Sequence, residues 1–103
     1  MSKILGIDLG TTFSAMATID ETGRAKIVNN QEGEAVTPSC CEYIVEENKV
    51  IVGTEAARGI GKPNVFSRFK MEMGTDTEYS YNNQTFTPKK LSSLILTKLH
   101  QDA

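Results

Sequence analysis

Residues 4–19 commit the start of the chain to a sheet. Leu5, Ile7 and Leu9 alternate with Gly6, Asp8 and Gly10, and Phe13, Ala15, Ala17 and Ile19 share one face of a second run. Apolar residues at every second position are the pattern of a strand. Only Gly10, Thr11 and Thr12 stand between the two runs, so the layout is strand, turn, strand. "DETGR" at 20–24 is an acidic, glycine-containing turn, and residues 25–29 form a third strand, giving an antiparallel meander. One residue is out of place. Asp8 stands in an apolar run, and a buried charge is costly unless it is paired. The sequence therefore predicts a partner for it.

The rest of the chain is shorter in its elements. "NNQEGE" is a polar loop, after which "VTPSCCEYIV" is extended and kinked or started by Pro38. "KVIVG" at 49–53 pairs with it across the "EEN" turn. "GTEAARGIG" predicts a short helix capped by Thr54, interrupted by Pro63 and Asn64. "VFSRFKMEMG" predicts a further turn or two of helix, closed by Gly74 in the C′ position. "YSYNNQTF" reads as a hairpin in which Tyr79, Tyr81 and Thr85 alternate round Asn82-Asn83. The clearest helix begins at Thr87 as cap and Pro88 as first residue, with Leu91, Leu94, Ile95 and Leu99 on one stripe. It runs to residue 103 without a stop signal, the pattern of a chain cut within a larger domain.

Composition excludes several classes. A net charge of −2 over 103 residues offers no basic footprint for nucleic acid or an anionic membrane. No apolar run is long enough to span a bilayer, and the N-terminus lacks a signal-peptide layout. The expectation is a cytoplasmic protein. Cys40 and Cys41 are neighbours that a strand points to opposite faces, so they read as free thiols. "RGIGKP" fails as a P-loop, since Ala56 stands at the first glycine position and Pro63 follows Lys62. The sequon "NQT" at 83–85 has no export signal to go with it. His100, Lys89 and Lys90 read as solvated side chains.

The stretch Asp8-Leu9-Gly10-Thr11-Thr12 has a clear chemical use. Gly10 allows a tight turn and close approach of a ligand. The N–H groups of Gly10, Thr11 and Thr12, with two hydroxyls, can surround a phosphate. Asp8, on the glycine-lined face, can hold the hydrated Mg²⁺ that accompanies a nucleotide. The plain alternative is an Asp bonded to turn amides beside ordinary strand threonines.

"GIDLGTTFS" resembles the first phosphate loop of the actin, sugar-kinase and heat-shock chaperone superfamily. "IVNNQEGEAVTPSCCEYI", "VGTEAARG", "NVFSRFKMEMGTD" and "FTPKKLSSLILTKL" together resemble successive segments of the seventy-kilodalton heat-shock (DnaK-type) chaperones. Their wording is more similar to a divergent bacterial branch than to the housekeeping chaperone. The resemblance implies an α/β, actin-like or ribonuclease-H-like ATPase fold, present in part. Residues 1–37 would be the first strands of the ATPase lobe, and 38–103 a small inserted subdomain. It implies ATP or ADP with Mg²⁺ as ligands, Asp8 reaching the metal through water, and Gly10, Thr11, Thr12 and Phe13 next to the phosphates. Lys70 matches the lysine implicated in γ-phosphate hydrolysis. Phe13 departs from the polar or Tyr residue usual at its position.

The leading expectation is the N-terminal part of an ATP-hydrolysing chaperone whose intact form works on unfolded polypeptides with a J-domain partner and a nucleotide exchange factor. Alternatives are a nucleotide-binding regulator that does not turn over ATP, and a sugar kinase of the same superfamily. Alone, the segment is expected to be inactive and to self-associate.

Overall fold

The computed structural model describes residues 4–103. Its first sheet is the expected meander. Strands β1 (Ile4–Leu9) and β2 (Phe13–Ile19) pair antiparallel, with Leu9 opposite Ser14 and Ile4 opposite Ile19. The other edge of β2 carries two short strands. Strand β3 (Ala25–Ile27) lies along Ala17–Ile19, and β4 (Val36–Pro38) along Phe13–Ala15. The third strand ends two residues early, although Val28 still donates its N–H to the Met16 carbonyl. At the β2–β3 turn, Asp20 Oδ1 accepts from the Thr22 N–H, the Thr22 hydroxyl and the Arg24 N–H. The Thr22 hydroxyl, then the Arg24 amide, hold this exposed carboxyl below its ordinary range. Asn30 organises the polar loop, donating to Thr37 Oγ1 and accepting from the Glu34 N–H.

The chain leaves the first sheet at Pro38, turns through Ser39 and enters a second. There β5 (Cys40–Ile44) is flanked by β6 (Lys49–Val52) and β7 (Val65–Ser67), both antiparallel. The 45–48 turn is a 3₁₀ turn that Asn48 ends in the left-handed region. Strand β7 corrects the sequence expectation. Helical spacing in "VFSRFKMEMG" yields instead three residues paired with β5, then one 3₁₀ turn, Phe69–Glu72. Gly74, at φ +83°, does follow that turn as expected.

Helix α1 (Thr54–Ala57) is short, and its cap is Gly53 rather than Thr54. Gly53 has φ +102°, and a Cβ there would press on Lys98 and Thr37, so glycine is required. Thr54 instead donates its hydroxyl to Glu34. The hairpin of β8 (Tyr79–Tyr81) and β9 (Gln84–Phe86) turns at Asn82 and Asn83, both at positive φ. Thr85 pairs with Ser80 on the outer face, and Phe86 joins the tyrosines facing the core.

Helix α2 (Pro88–Asp102) begins as the sequence predicts, with Thr87 Oγ1 accepting from the Lys90 N–H. Leu91, Ile95 and Leu99 on its stripe are fully buried. They pack with Met16 of the first sheet, Cys41, Tyr43 and Phe66 of the second, and Phe69. Phe66 and Phe86 meet at 5.4 Å, and Tyr43 and Phe86 at 5.5 Å, adding ring contacts to the area buried. Among the described residues no helix is long and apolar enough to cross a membrane.

The core lies against the Ser14 and Met16 face of β2. Phe13, Ala15, Ala17 and Ile19 do share one face, as the sequence predicts, but it is the face turned away from the core. Cross-strand pairing puts those four on the face shared with Ile4, Gly6, Asp8, Ile27 and Val36, which stays open. Ile4, Phe13 and Ile27 are each more than half exposed.

Candidate functional site

Gly10, Thr11 and Thr12 form the loop of the β1–β2 hairpin. A side chain on Gly10 would overlap the Phe13 carbonyl, so only glycine lets the loop close. Ser39 holds the loop from the far side. Its hydroxyl donates to the Gly10 carbonyl at 2.8 Å, and its N–H donates to the Thr12 carbonyl at 2.9 Å. With that proton committed, the buried Ser14 hydroxyl must be the donor in the 2.8 Å Ser14–Ser39 bond. The Gly10 and Thr12 carbonyls are thus occupied on the protein side. Among the described turn and loop bonds, the N–H groups of Gly10, Thr11 and Thr12 donate none. Amides without such partners are what a phosphate cradle requires.

The loop borders a cleft of about 240 Å³ between the two sheets. Thr11, Thr12 and Phe13 line one side, and Ser39, Ser67 and Arg68 line another. Cys40, also in the wall, is pushed up to about 11 by burial and stays a neutral thiol at physiological pH. Among the described residues, no carboxylate lines the cleft. Phe13, Pro38, Cys40, Ala57 and Ile60 make the rest of the wall largely apolar, so polar recognition here rests on the loop itself.

The remaining expected residues sit elsewhere. Asp8 is exposed in a shallow trough along the open sheet face, beside Gly6, Ala15 and Ala17. It enters no ion pair among the described residues. The expected burial is absent because β1 presents its glycine-lined face to solvent, so no partner is demanded. Lys70 is an exposed residue of the 3₁₀ turn and lies outside the cleft wall.

The sequence profile of the Hsp70 protein family matches residues 4–80. The chain belongs to the Hsp70 family. Membership makes the meander, the second sheet and the loop between β1 and β2 a segment of the actin-like ATPase fold. Hsp70 proteins are ATPases that bind Mg²⁺ with ATP, and they act with clients and co-chaperones. Sequence reasoning missed Ser39, which latches the loop, and Arg68, which lines the neighbouring cleft. Ser39 appeared only as part of an extended run, and Arg68 only as part of a helix. Ser39's signal was faint, a polar residue between the proline and two cysteines of an apolar stretch.

Proposed function

We propose that this chain provides the phosphate-binding hairpin and the neighbouring small subdomain of an ATP-hydrolysing Hsp70 chaperone. Residues 1–37 belong to the ATPase lobe and 38–103 to the inserted subdomain, in a cytoplasmic protein of a divergent bacterial branch. One observation carries the proposal. The Gly10–Thr12 loop has its Gly10 and Thr12 carbonyls tied to Ser39, while its three amides donate to none of the described turn and loop bonds.

In this reading the amides of Gly10, Thr11 and Thr12 bind phosphate oxygens, and the threonine hydroxyls orient them. Asp8, two residues before Gly10, attracts the cation that travels with the nucleotide. The described residues contain no cluster of three or more His, Cys, Asp or Glu fit for a metal. Asp8 would hold a Mg²⁺ that arrives with the nucleotide through water, which suits an ion that sheds water reluctantly. Bound Mg²⁺ would neutralise phosphate charge during hydrolysis. Lys70 contributes a cation for the attacking water in the intact protein, and unfolded polypeptides, a J-domain protein and an exchange factor are its partners.

The test is turnover by an intact protein carrying this segment. Asp8→Asn is expected to weaken Mg²⁺-dependent ATP binding in calorimetry. Lys70→Ala is expected to abolish single-turnover hydrolysis while leaving binding in place. Unchanged Mg²⁺ dependence in the first, and a near wild-type rate in the second, would overturn these assignments. The position of Lys70 outside the cleft wall favours a second reading, a nucleotide-binding regulator that does not hydrolyse ATP. ATP binding without phosphate release would establish it. A sugar kinase is disfavoured, since the family match continues far beyond the motif shared with those enzymes.

A further inference from the structure

We propose that two copies of this chain pair through strand β1, antiparallel and centred on Ile7, joining their four-stranded sheets into one. The inference does not depend on the phosphate-loop reading. Three observations carry it.

The first is an open edge. The Met16 carbonyl accepts from the Val28 N–H, so Ser14, Met16 and Thr18 turn their backbone groups towards β3 and β4. Just before β2, the Thr12 carbonyl does the same with Ser39. Pro38, which has no N–H to give, stands opposite Phe13, a residue of the other set. That other set serves β1, where Ala15, Ala17 and Ile19 stand opposite Asp8, Gly6 and Ile4. The N–H and C=O groups of Leu5, Ile7 and Leu9 are therefore turned outward. Strand β2 is the only described strand partner of β1, and no described turn or loop bond reaches those groups. Such an edge is a template for another strand.

The second is self-complementarity. The outward positions read Leu5, Ile7, Leu9, a row symmetric about Ile7. Turned end for end, the row matches itself. Ile7 meets the second copy's Ile7, and Leu5 meets its Leu9. Each facing pair exchanges two backbone hydrogen bonds, and the two-fold axis passes between the isoleucines. On the other face Gly6 stands beside the second copy's Asp8 and leaves it room. A foreign strand would have to supply this row, whereas a second copy already carries it.

The third is Ile7 itself. It stands opposite Met16, which is buried in the core at 3% exposure, so its side chain lies on the covered face of the sheet. Leu5 and Leu9 on that face pack against the core, but Ile7 is 36% exposed. Pairing sets it against its own copy, with Cβ atoms about 5 Å apart. Asp8 opposes the contact. The two Asp8 residues lie diagonal to one another across the pair, about 7–8 Å apart, which keeps the dimer weak.

The test uses the whole 103-residue chain, by sedimentation across a concentration series and by NMR of mixed labelled and unlabelled copies. A monomer–dimer equilibrium is expected. Between copies, the Gly6 and Asp8 Hα protons should show a nuclear Overhauser contact, because a pair that is not hydrogen-bonded brings Cα atoms to about 4.5 Å. Sheets stacked on their open faces lie about 10 Å apart and would show none. Joining residues 1–39 to 40–103 at Cys40 allows a methyl group to be placed on the Ile7 backbone nitrogen. That removes one outward donor and keeps the side chain and every β1–β2 bond. It should raise the dimer dissociation constant at least tenfold, while Ile27→Ser on the open face should change it less than threefold. A chain monomeric at NMR concentrations, or an N-methylated chain that dimerises like wild type, would overturn the proposal. Should the methylated chain fail to fold, the wild-type contact decides: a dimer lacking the Gly6–Asp8 signal rejects this pairing.

Discussion

Ser39 joins the loop to the body of the protein through two hydrogen bonds and receives a third from Ser14. Ser39→Ala strands the Ser14 hydroxyl and frees the Gly10 carbonyl. It is expected to cost about 1–3 kcal/mol in urea unfolding and to broaden the Thr11 and Thr12 amide resonances. Unaltered resonances would mean that the backbone alone shapes the loop. The cysteines give a pH prediction. Burial pushes Cys40 up to about 11 and Cys41 to about 12, from an ordinary 9.0. Unfolding lets them ionise earlier, so their contribution is whole below pH 9 and fades as pH rises towards 11–12. Stability is expected to fall by about 1 kcal/mol per thiol between pH 8 and pH 10. Cys40→Ala should flatten that slope in parallel urea titrations, and an identical slope would reject the assignment. At this scale the turn at Gly10, Thr11 and Thr12 was legible because a glycine and two hydroxyls break an alternating run. Ser39 was not, because its acceptor on Gly10 lies 29 residues away and nothing local marks it.

Helix α2 was legible for the opposite reason: its cap, its first-turn proline and its apolar stripe all lie within fifteen residues. Strand β7 drew its identity from pairing with β5, a long-range event that three residues of helical spacing cannot report. In β2 the alternation revealed two faces but not which one meets the core. Met16 is the residue of β2 that joins the core beneath α2, and nothing in the strand's own alternation marks it. The far end of α2 depends on Lys98. Its ammonium lies 2.7 Å from Asp102 and 3.1 Å from Glu32, and its stem lies over Gly53. Burial would lower this lysine, but bonds to Asp102 and Glu32 outweigh it and hold it above the ordinary range. The stabilisation is therefore complete below the ordinary lysine range and lost only as pH climbs past it. Lys98→Ala leaves the Asp102 side chain, 3% exposed, without its cation. A loss of about 1–3 kcal/mol is expected in thermal or urea unfolding, partly recovered by Asp102→Asn. A neutral result would show that the helix end is held by its leucines alone.

As a whole the molecule is elongated, 49 × 28 × 21 Å, with a radius of gyration of 14.6 Å. A compact domain of this length measures about 13 Å. The excess accompanies a first sheet covered on one side only, with Ile4, Phe13, Ile27 and Val36 open on the other. An apolar sheet face of this kind promotes association. The 103-residue chain is expected to self-associate in light scattering across a concentration series and to bind Mg-ATP at most weakly. A stable monomer with micromolar ATP affinity would overturn that expectation. Ser39 carries one more consequence. It is the residue at which the chain passes between sheets and also the latch on the loop. The angle between the sheets and the shape of the loop are therefore a single mechanical variable. A ligand that stiffens the loop resists rotation at this joint, and a force that opens the joint pulls the latch from the loop.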